Sequence, residues 1–352
     1  MTRCMRLPFL CMTFVAVAVA PCLATFHADG TRPLRIALVD VEGGGGTLIV
    51  TPAGQAVLID TGWARADHRD SDRILAAMKA AGVHKIDYLI STHFHEDHIG
   101  GLQELAAKVP IGEFIDHGLP ASPPPDDMKA DLVAAYIRLT QGKRHTARLG
   151  EKLPLRQWPG TPAVSITVLT EAQNIIHAAQ APANSRCSAL TSLPKDTSDN
   201  ANSVATVLQF GSFRYFDGGD LTWNTEGKLV CPQDEVGGVT VYQTDHHGLE
   251  ISNNPVLLAT LHPQVVVENN GAQKGGQPAA YRRLQAVVSP RDIYQQHRNI
   301  DSSAADNAPP ANTANVGTTD TGFGLHLVVA SDGMSYRVIN ERTGQARAYR
   351  VP

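Results

Sequence analysis

The stretch Thr92-His93-Phe94-His95-Glu96-Asp97-His98 constrains this chain more than any other part of it. It follows Ile86-Asp87-Tyr88-Leu89-Ile90-Ser91, a compact run of the buried-strand type, and precedes Gly100-Gly101 and a helical pattern reaching Lys108. Imidazole and carboxylate are the groups that a borderline-soft divalent ion takes, zinc above all. His93 and His95, two apart in an extended loop, can converge on one ion. Asp97 and His98, opening the next helix, point to a neighbouring position. A lone histidine beside a strand is ordinarily a polar bystander, but four ligand-type residues within six are not explained that way. One loop cannot enclose a cation, so distant residues have to complete the centre.

Composition narrows less. A chain of 352 residues can bury a full core, and 43% hydrophobic with 18% charged residues describes an ordinary globular protein. The net charge of −4 comes with no basic stripe, so nucleic acid enters only as a substrate, and no protein partner is inferable. Arg3 and Arg6 precede the apolar run Leu7 to Ala20 and then Pro21-Cys22-Leu23-Ala24. These are the parts of a secretory leader, 1–24, whose apolar run is too short for a comfortable bilayer span, with an uncleaved membrane anchor as the alternative. We therefore expect export to the periplasm or beyond, with no membrane span after cleavage. Cys4, Cys11 and Cys22 belong to the leader. Cys187 and Cys231 remain, either paired in an oxidising compartment or as two free thiols.

After the leader we read one large domain over 31–300, a flexible loop over 301–320 rich in Ala, Asn, Asp, Thr and Pro, and C-terminal strands over 321–352 packed on the same domain. Leu34 to Val41, Thr47 to Val50 and Ala56 to Asp60 are strands. Ser71 to Ala81 is a helix ending at Gly82. Asp131 to Leu139 is a helix, Leu153 to Leu155 and Val164 to Leu169 are strands, and Ser185 to Asn200 is a polar insertion. Ser203 to Phe210, Phe213 to Phe216, Val239 to Thr244, Gln264 to Glu268 and Ile293-Tyr294 are strands, with a helix over Pro255 to Leu261. The glycine run Gly43 to Gly46 leads into a strand and lacks the Lys-Ser/Thr of a phosphate loop.

The run His93-x-His95-x-Asp97-His98 resembles the signature of the metallo-β-lactamase superfamily. Leu58-Ile59-Asp60-Thr61-Gly62, Gly219-Asp220 and His246-His247-Gly248 match it in order. Asn202-Ser203-Val204, Gly219-Asp220-Leu221 and Asp245-His246-His247-Gly248 look most like the nuclease-like domain of ComEC-type competence proteins and their secreted relatives, and like phosphorylcholine esterases of that fold. The resemblance implies an α/β (α+β) fold, an αββα sandwich of two mixed β-sheets with outer helices. It implies two divalent metal ions, zinc with manganese as the alternative. His93 and His95 would bind the first, Asp97, His98 and one of His246 and His247 the second, with Asp220 bridging. His247 is favoured as the ligand, leaving His246 for the substrate or its leaving group.

Many members carry a further histidine before the bridging aspartate; here Asn202 stands in that region. The expected catalytic residues are Asp97, His246 and Asn202. Asp60 is expected to fix a ligating imidazole through its other N–H. Such a centre turns a bound water into a hydroxide nucleophile near neutral pH. We expect a metallo-hydrolase acting on a small molecule or phosphodiester, the latter favoured, with β-lactamase or lactonase activity as the alternative. A non-catalytic exported binding protein with a structural metal is the alternative of another class. Lys143, Arg144 and His145 could meet an anionic substrate or be wet surface.

Overall fold

The computed structural model describes residues 32–352. The leader read over 1–24 lies outside the described residues. A nine-stranded sheet runs, edge to edge, β18 (Gln345–Arg350), β17 (Ser335–Asn340), β16 (Leu325–Val329), β1 (Leu34–Leu38), β2 (Thr47–Val50), β3 (Ala56–Ile59), β4 (Ile86–Ile90), β5 (Ile111–Asp116) and β6 (Arg144–Thr146). A seven-stranded sheet runs β15 (Thr313–Asn315), β14 (Ile293–His297), β13 (Val265–Glu268), β12 (Val241–Gln243), β11 (Phe213–Asp217), β10 (Thr206–Phe210) and β7 (Val164–Val168). A hairpin of β8 (Thr170–Glu171) and β9 (Asn174–Ile175) stands apart.

Three buried clusters set the layers. Ile36, Val57, Ile59 and Ile90 of the first sheet meet Phe213, Tyr215, Val241 and Val265 of the second in one central core. The other face of the first sheet, with Leu58 and Leu89, is covered by α1 (Arg69–Ala81), α3 (Leu102–Lys108) and α4 (Ala130–Thr140) through Ile74, Met78, Leu105 and Tyr136. The outer face of the second, with Tyr242 and Val266, is covered by α5 (Trp223–Val230), α6 (Pro255–Leu261) and α7 (Pro278–Gln285) through Leu229, Leu257 and Leu284. Strands buried on both faces read as continuous apolar runs, as β3 and β13 do. The result is the αββα sandwich.

Two expectations need correction. The stretch 301–320 is not a structureless loop: it carries two 3-10 turns and β15, which pairs in parallel with β14. Its amides close the order, Asn307 Nδ2 donating to Asn299 O and Asn312 Nδ2 to Ile293 O. Leu153 to Leu155 forms no strand. Pro154 lacks a ladder donor, and only a single bridge, Lys152 to Thr167, forms there. The C-terminal strands extend the first sheet, β16 pairing with β1. Helices α5 and α7 were not anticipated. Cys187 and Cys231 are joined in a disulfide with Cα atoms 5.6 Å apart.

Candidate metal centre

The centre sits where parallel strands end, the usual place for a site in such sheets. Pairing of Ile59 with Ile90 brings Asp60 and Thr92 off β3 and β4 side by side. Thr92 donates its N–H to Asp60 Oδ1 (2.8 Å) and its hydroxyl to Asp60 Oδ2 (2.7 Å). His93 to His95 follow, and the short helix α2 (Glu96–Ile99) carries Asp97 and His98 inward. In the second sheet Asp220 lies just past β11, and His246 and His247 follow β12 in a 3-10 turn, Asp245–Gly248. Both histidines take left-handed backbone, φ 53° and 55°, a strain of roughly 1–3 kcal/mol each that surrounding bonds must hold. His246 N donates to Gly219 O (2.9 Å) and Asn253 Nδ2 to Asp245 O (3.0 Å).

Donor atoms of Asp97, His98, Asp220 and His247 lie within 4.8 Å of one another, all buried. His98 Nε2 is 3.2 Å from both Asp97 Oδ2 and Asp220 Oδ1, and His247 Nε2 is 3.3 and 3.2 Å from the same two oxygens. The other ring nitrogen of His98, Nδ1, is 2.6 Å from Asp60 Oδ2. With the proton on that side, Nε2 presents its lone pair to the two carboxylates. Acceptors facing acceptors in a buried space call for a cation.

Asp220 spans two positions. Oδ1 faces His98 and His247, while Oδ2 faces His93 Nε2 (3.9 Å) and His246 Nε2 (3.5 Å). His93 Nε2 and Asp220 Oδ1 are buried with no hydrogen-bond partner. These orphaned atoms fit a pair of divalent cations bridged by Asp220. His95 directs Nε2 to Asp127 Oδ2 at 3.2 Å, which leaves Nδ1 for the first position beside His93, ring centres 4.6 Å apart.

Charge states follow from burial and neighbours. Burial, with the nearby His98 charge, holds His93 well below the usual histidine range, so it stays neutral. For His98 burial pulls down, but Asp220, Asp97 and Asp60 push it well above that range. A proton there does part of what a bound cation would do. Burial raises Asp97 and Asp220, yet His98 and Lys274 around the first, and His247 and His98 around the second, hold both well below the carboxylate range. Burial lowers His246 to about 4, so it is a neutral base.

Residues 42–179 match the family model described as the metallo-beta-lactamase superfamily. Over that stretch the chain is similar to the metallo-beta-lactamase superfamily. It is also similar to "Competence protein ComA" of Neisseria gonorrhoeae, 26% identical over 250 residues, covering 69% of this chain. The alignment spans 28% of the length of that curated relative. It also resembles Igni18, a metallo hydrolase from Ignicoccus hospitalis, with 14% identity over 84% of this chain and 98% of that one, TM-score 0.42. A diphosphatase from the PhnP family gives 14% identity over 68% and 87% of the two chains, TM-score 0.37. The donor set is that of a metallo-hydrolase.

Not every anticipated residue faces the centre. Asn202 accepts from Gln173 Nε2 (3.0 Å) and donates to Asp199 Oδ1 (3.0 Å). Asn200, two residues earlier in the 3-10 turn Asp199–Asn202, instead reaches His246 Nε2 at 3.3 Å. Arg144 is taken by Asp116, and His145 lies between Glu113 and Glu151, so neither is free for a substrate. Asn200, Ser203 and Asp127 were missed. Ser203 Oγ accepts from Asp220 N–H (3.1 Å) and lies 3.4 Å from His93 Nδ1. The Asn202-Ser203-Val204 motif pointed to that turn without giving its phase.

The glycine run explains itself here. A Cβ on Gly45 would stand 2.5 Å from Asp60 Oδ2 and 2.7 Å from His98 Nδ1. Gly45 N–H donates to Asp97 O (3.0 Å), so the turn passes directly over the metal-binding loop. The run packs against donors.

Proposed function

We propose that this chain is an exported hydrolase that uses two divalent cations, zinc or manganese, to cleave a phosphodiester. The observation that carries the reading is the Asp220 carboxylate, one oxygen toward His98 and His247 and the other toward His93 and His246. His93, His95 and Asp220 would hold the first cation, and Asp97, His98, Asp220 and His247 the second. Ions bound there make water acidic and offset charge growing on an attacked phosphoryl oxygen.

The chain's own groups supply the rest. Asp97 Oδ2 lies between the two ring nitrogens of His98 and His247 and orients whatever sits beside it. His246 stands on the first-cation side of Asp220. Its Nδ1 is 3.3 Å from Ser252 Oγ, whose hydroxyl donates to Leu221 O. With the proton on Nδ1, Nε2 accepts from Asn200 Nδ2 beside Asp220 Oδ2, and our reading assigns this neutral ring to the substrate or its leaving group. Similarity to the competence protein and the motifs at Ser203, Asp220 and His247 support the phosphodiester. The leader-like start and the Cys187–Cys231 disulfide support export.

The test is a panel of bis-p-nitrophenyl phosphate, nitrocefin and lactones with zinc- or manganese-loaded protein. Single-stranded and duplex DNA follow, with Asp220→Ala as control. Turnover of the phosphate diester, lost in Asp220→Ala, is expected. Turnover confined to nitrocefin or a lactone overturns the phosphodiester assignment. No turnover with metal bound leaves a binding protein.

A further inference from the structure

Lys274 belongs to none of the motifs above, yet its ammonium pairs with Asp97 Oδ2, the oxygen that His98 and His247 also face. It sits in the turn between β13 and α7. Gly271 N–H donates to Lys274 O (2.7 Å) and Gly276 N–H to His247 O (2.9 Å). A Cβ on Gly275, φ +78°, would collide with His247 O, and one on Gly43 would stand 3.0 Å from Lys274 Cβ. The turn is thus clamped between the glycine run and the His246-His247 turn. On its other side the ammonium lies 4.8 Å from the centre of the Trp63 ring, and Arg65 lies 5.4 Å from the same ring. Lys274 is one-third exposed, so its head reaches the mouth of the site.

An ammonium and a dication on one carboxylate oxygen repel each other at contact distance, so each weakens the other's hold. We propose that Lys274 competes with the second cation for Asp97 and, once displaced along Trp63, becomes the anchor for an anionic oxygen of the substrate. The first half needs only the metal centre. The second half rests on the phosphodiester reading. Displacement costs little reorganisation, since the lysine stem is flexible and the indole face offers the ammonium a second seat.

The experiment compares wild type with Lys274→Met, which keeps the stem and removes the charge, and Lys274→Arg. Zinc and manganese affinities are measured by competition with a chromogenic chelator, with thermal unfolding to confirm folding. The second equivalent should bind about tenfold more tightly to Lys274→Met, with the first unchanged. An unchanged or weaker second equivalent in the folded variant overturns the competition. In the metal-loaded proteins, KM for bis-p-nitrophenyl phosphate should rise about tenfold in Lys274→Met with kcat within about threefold, and Lys274→Arg should restore it. An unchanged KM overturns the anchor. Should the wild type turn over no phosphate diester, inorganic phosphate binding to the loaded protein replaces that arm. Equal binding by wild type and Lys274→Met then overturns the anchor.

Discussion

Asp60 Oδ2 lies 2.6 Å from His98 Nδ1, and the opposite nitrogen of that ring lies 3.2 Å from Asp220 Oδ1. The carboxylate of one sheet edge thereby sets which lone pair of His98 meets the centre. Asp60→Asn keeps the shape but can no longer accept at both oxygens. Its amide must place a donor against either Thr92 or His98. We expect metal affinity to fall about 10- to 100-fold, read by chelator competition, with far-UV circular dichroism unchanged. Unchanged affinity would show that Asp60 only ties the turn.

Asp127 makes a parallel prediction for the first cation. It accepts from His95 Nε2 (3.2 Å) and from Asp199 N–H (3.0 Å), and Asp199 in turn accepts from Phe94 N–H (2.7 Å). Asp127→Ala frees the His95 ring. The first equivalent should weaken about 10- to 100-fold while the second holds, so titration separates two classes of site. Equal weakening of both would mean that the whole loop has shifted.

These two partners show how far the sequence could be read. His93 to His98 is legible because the ligands follow one strand within a single short loop, and their residue types name the chemistry. Asp220 and His247 enter through the order of motifs, each a few residues past a strand. Asn200 was not, because a 3-10 turn places neighbours at angles that spacing alone does not fix, so Asn202 looked as suitable. Asp127 sits after Pro123-Pro124-Pro125 in a segment without periodicity, and Lys274 in a glycine-rich turn, so neither has a local signature. In the fold, 301–320 has the polar composition of a loop, whereas its amides bond back to Asn299 and to β14.

Glu268 predicts a pH dependence of stability. Burial raises its carboxyl from the ordinary 4.5 to about 8, against the bond from Gln295 Nε2 that favours the charged form. Between those values the folded chain holds a proton that the unfolded chain has released. Its stabilising contribution is complete below pH 4.5 and is lost as pH rises through about 8, at up to about 1.4 kcal/mol per pH unit. Glu268→Gln should flatten that slope in urea unfolding curves between pH 5 and 8, about a three-unit span. Parallel profiles for variant and wild type would contradict it.

Gly45 offers a steric test of the same architecture. Gly45→Ala drives a methyl between Asp60 and His98, whose atoms would lie 2.5 and 2.7 Å away. We expect a loss of roughly 1–3 kcal/mol in stability together with weaker metal binding. A variant that matches wild type in both would place the turn further from the centre.

Elemental analysis of folded protein equilibrated with zinc or manganese and then desalted is the most direct test. Two equivalents of metal per chain, about two within error, are expected for wild type, with at least one lost in Asp220→Asn at unchanged circular dichroism. A folded wild-type chain that retains no divalent metal, or an Asp220→Asn variant that retains both equivalents, would contradict the bridged pair.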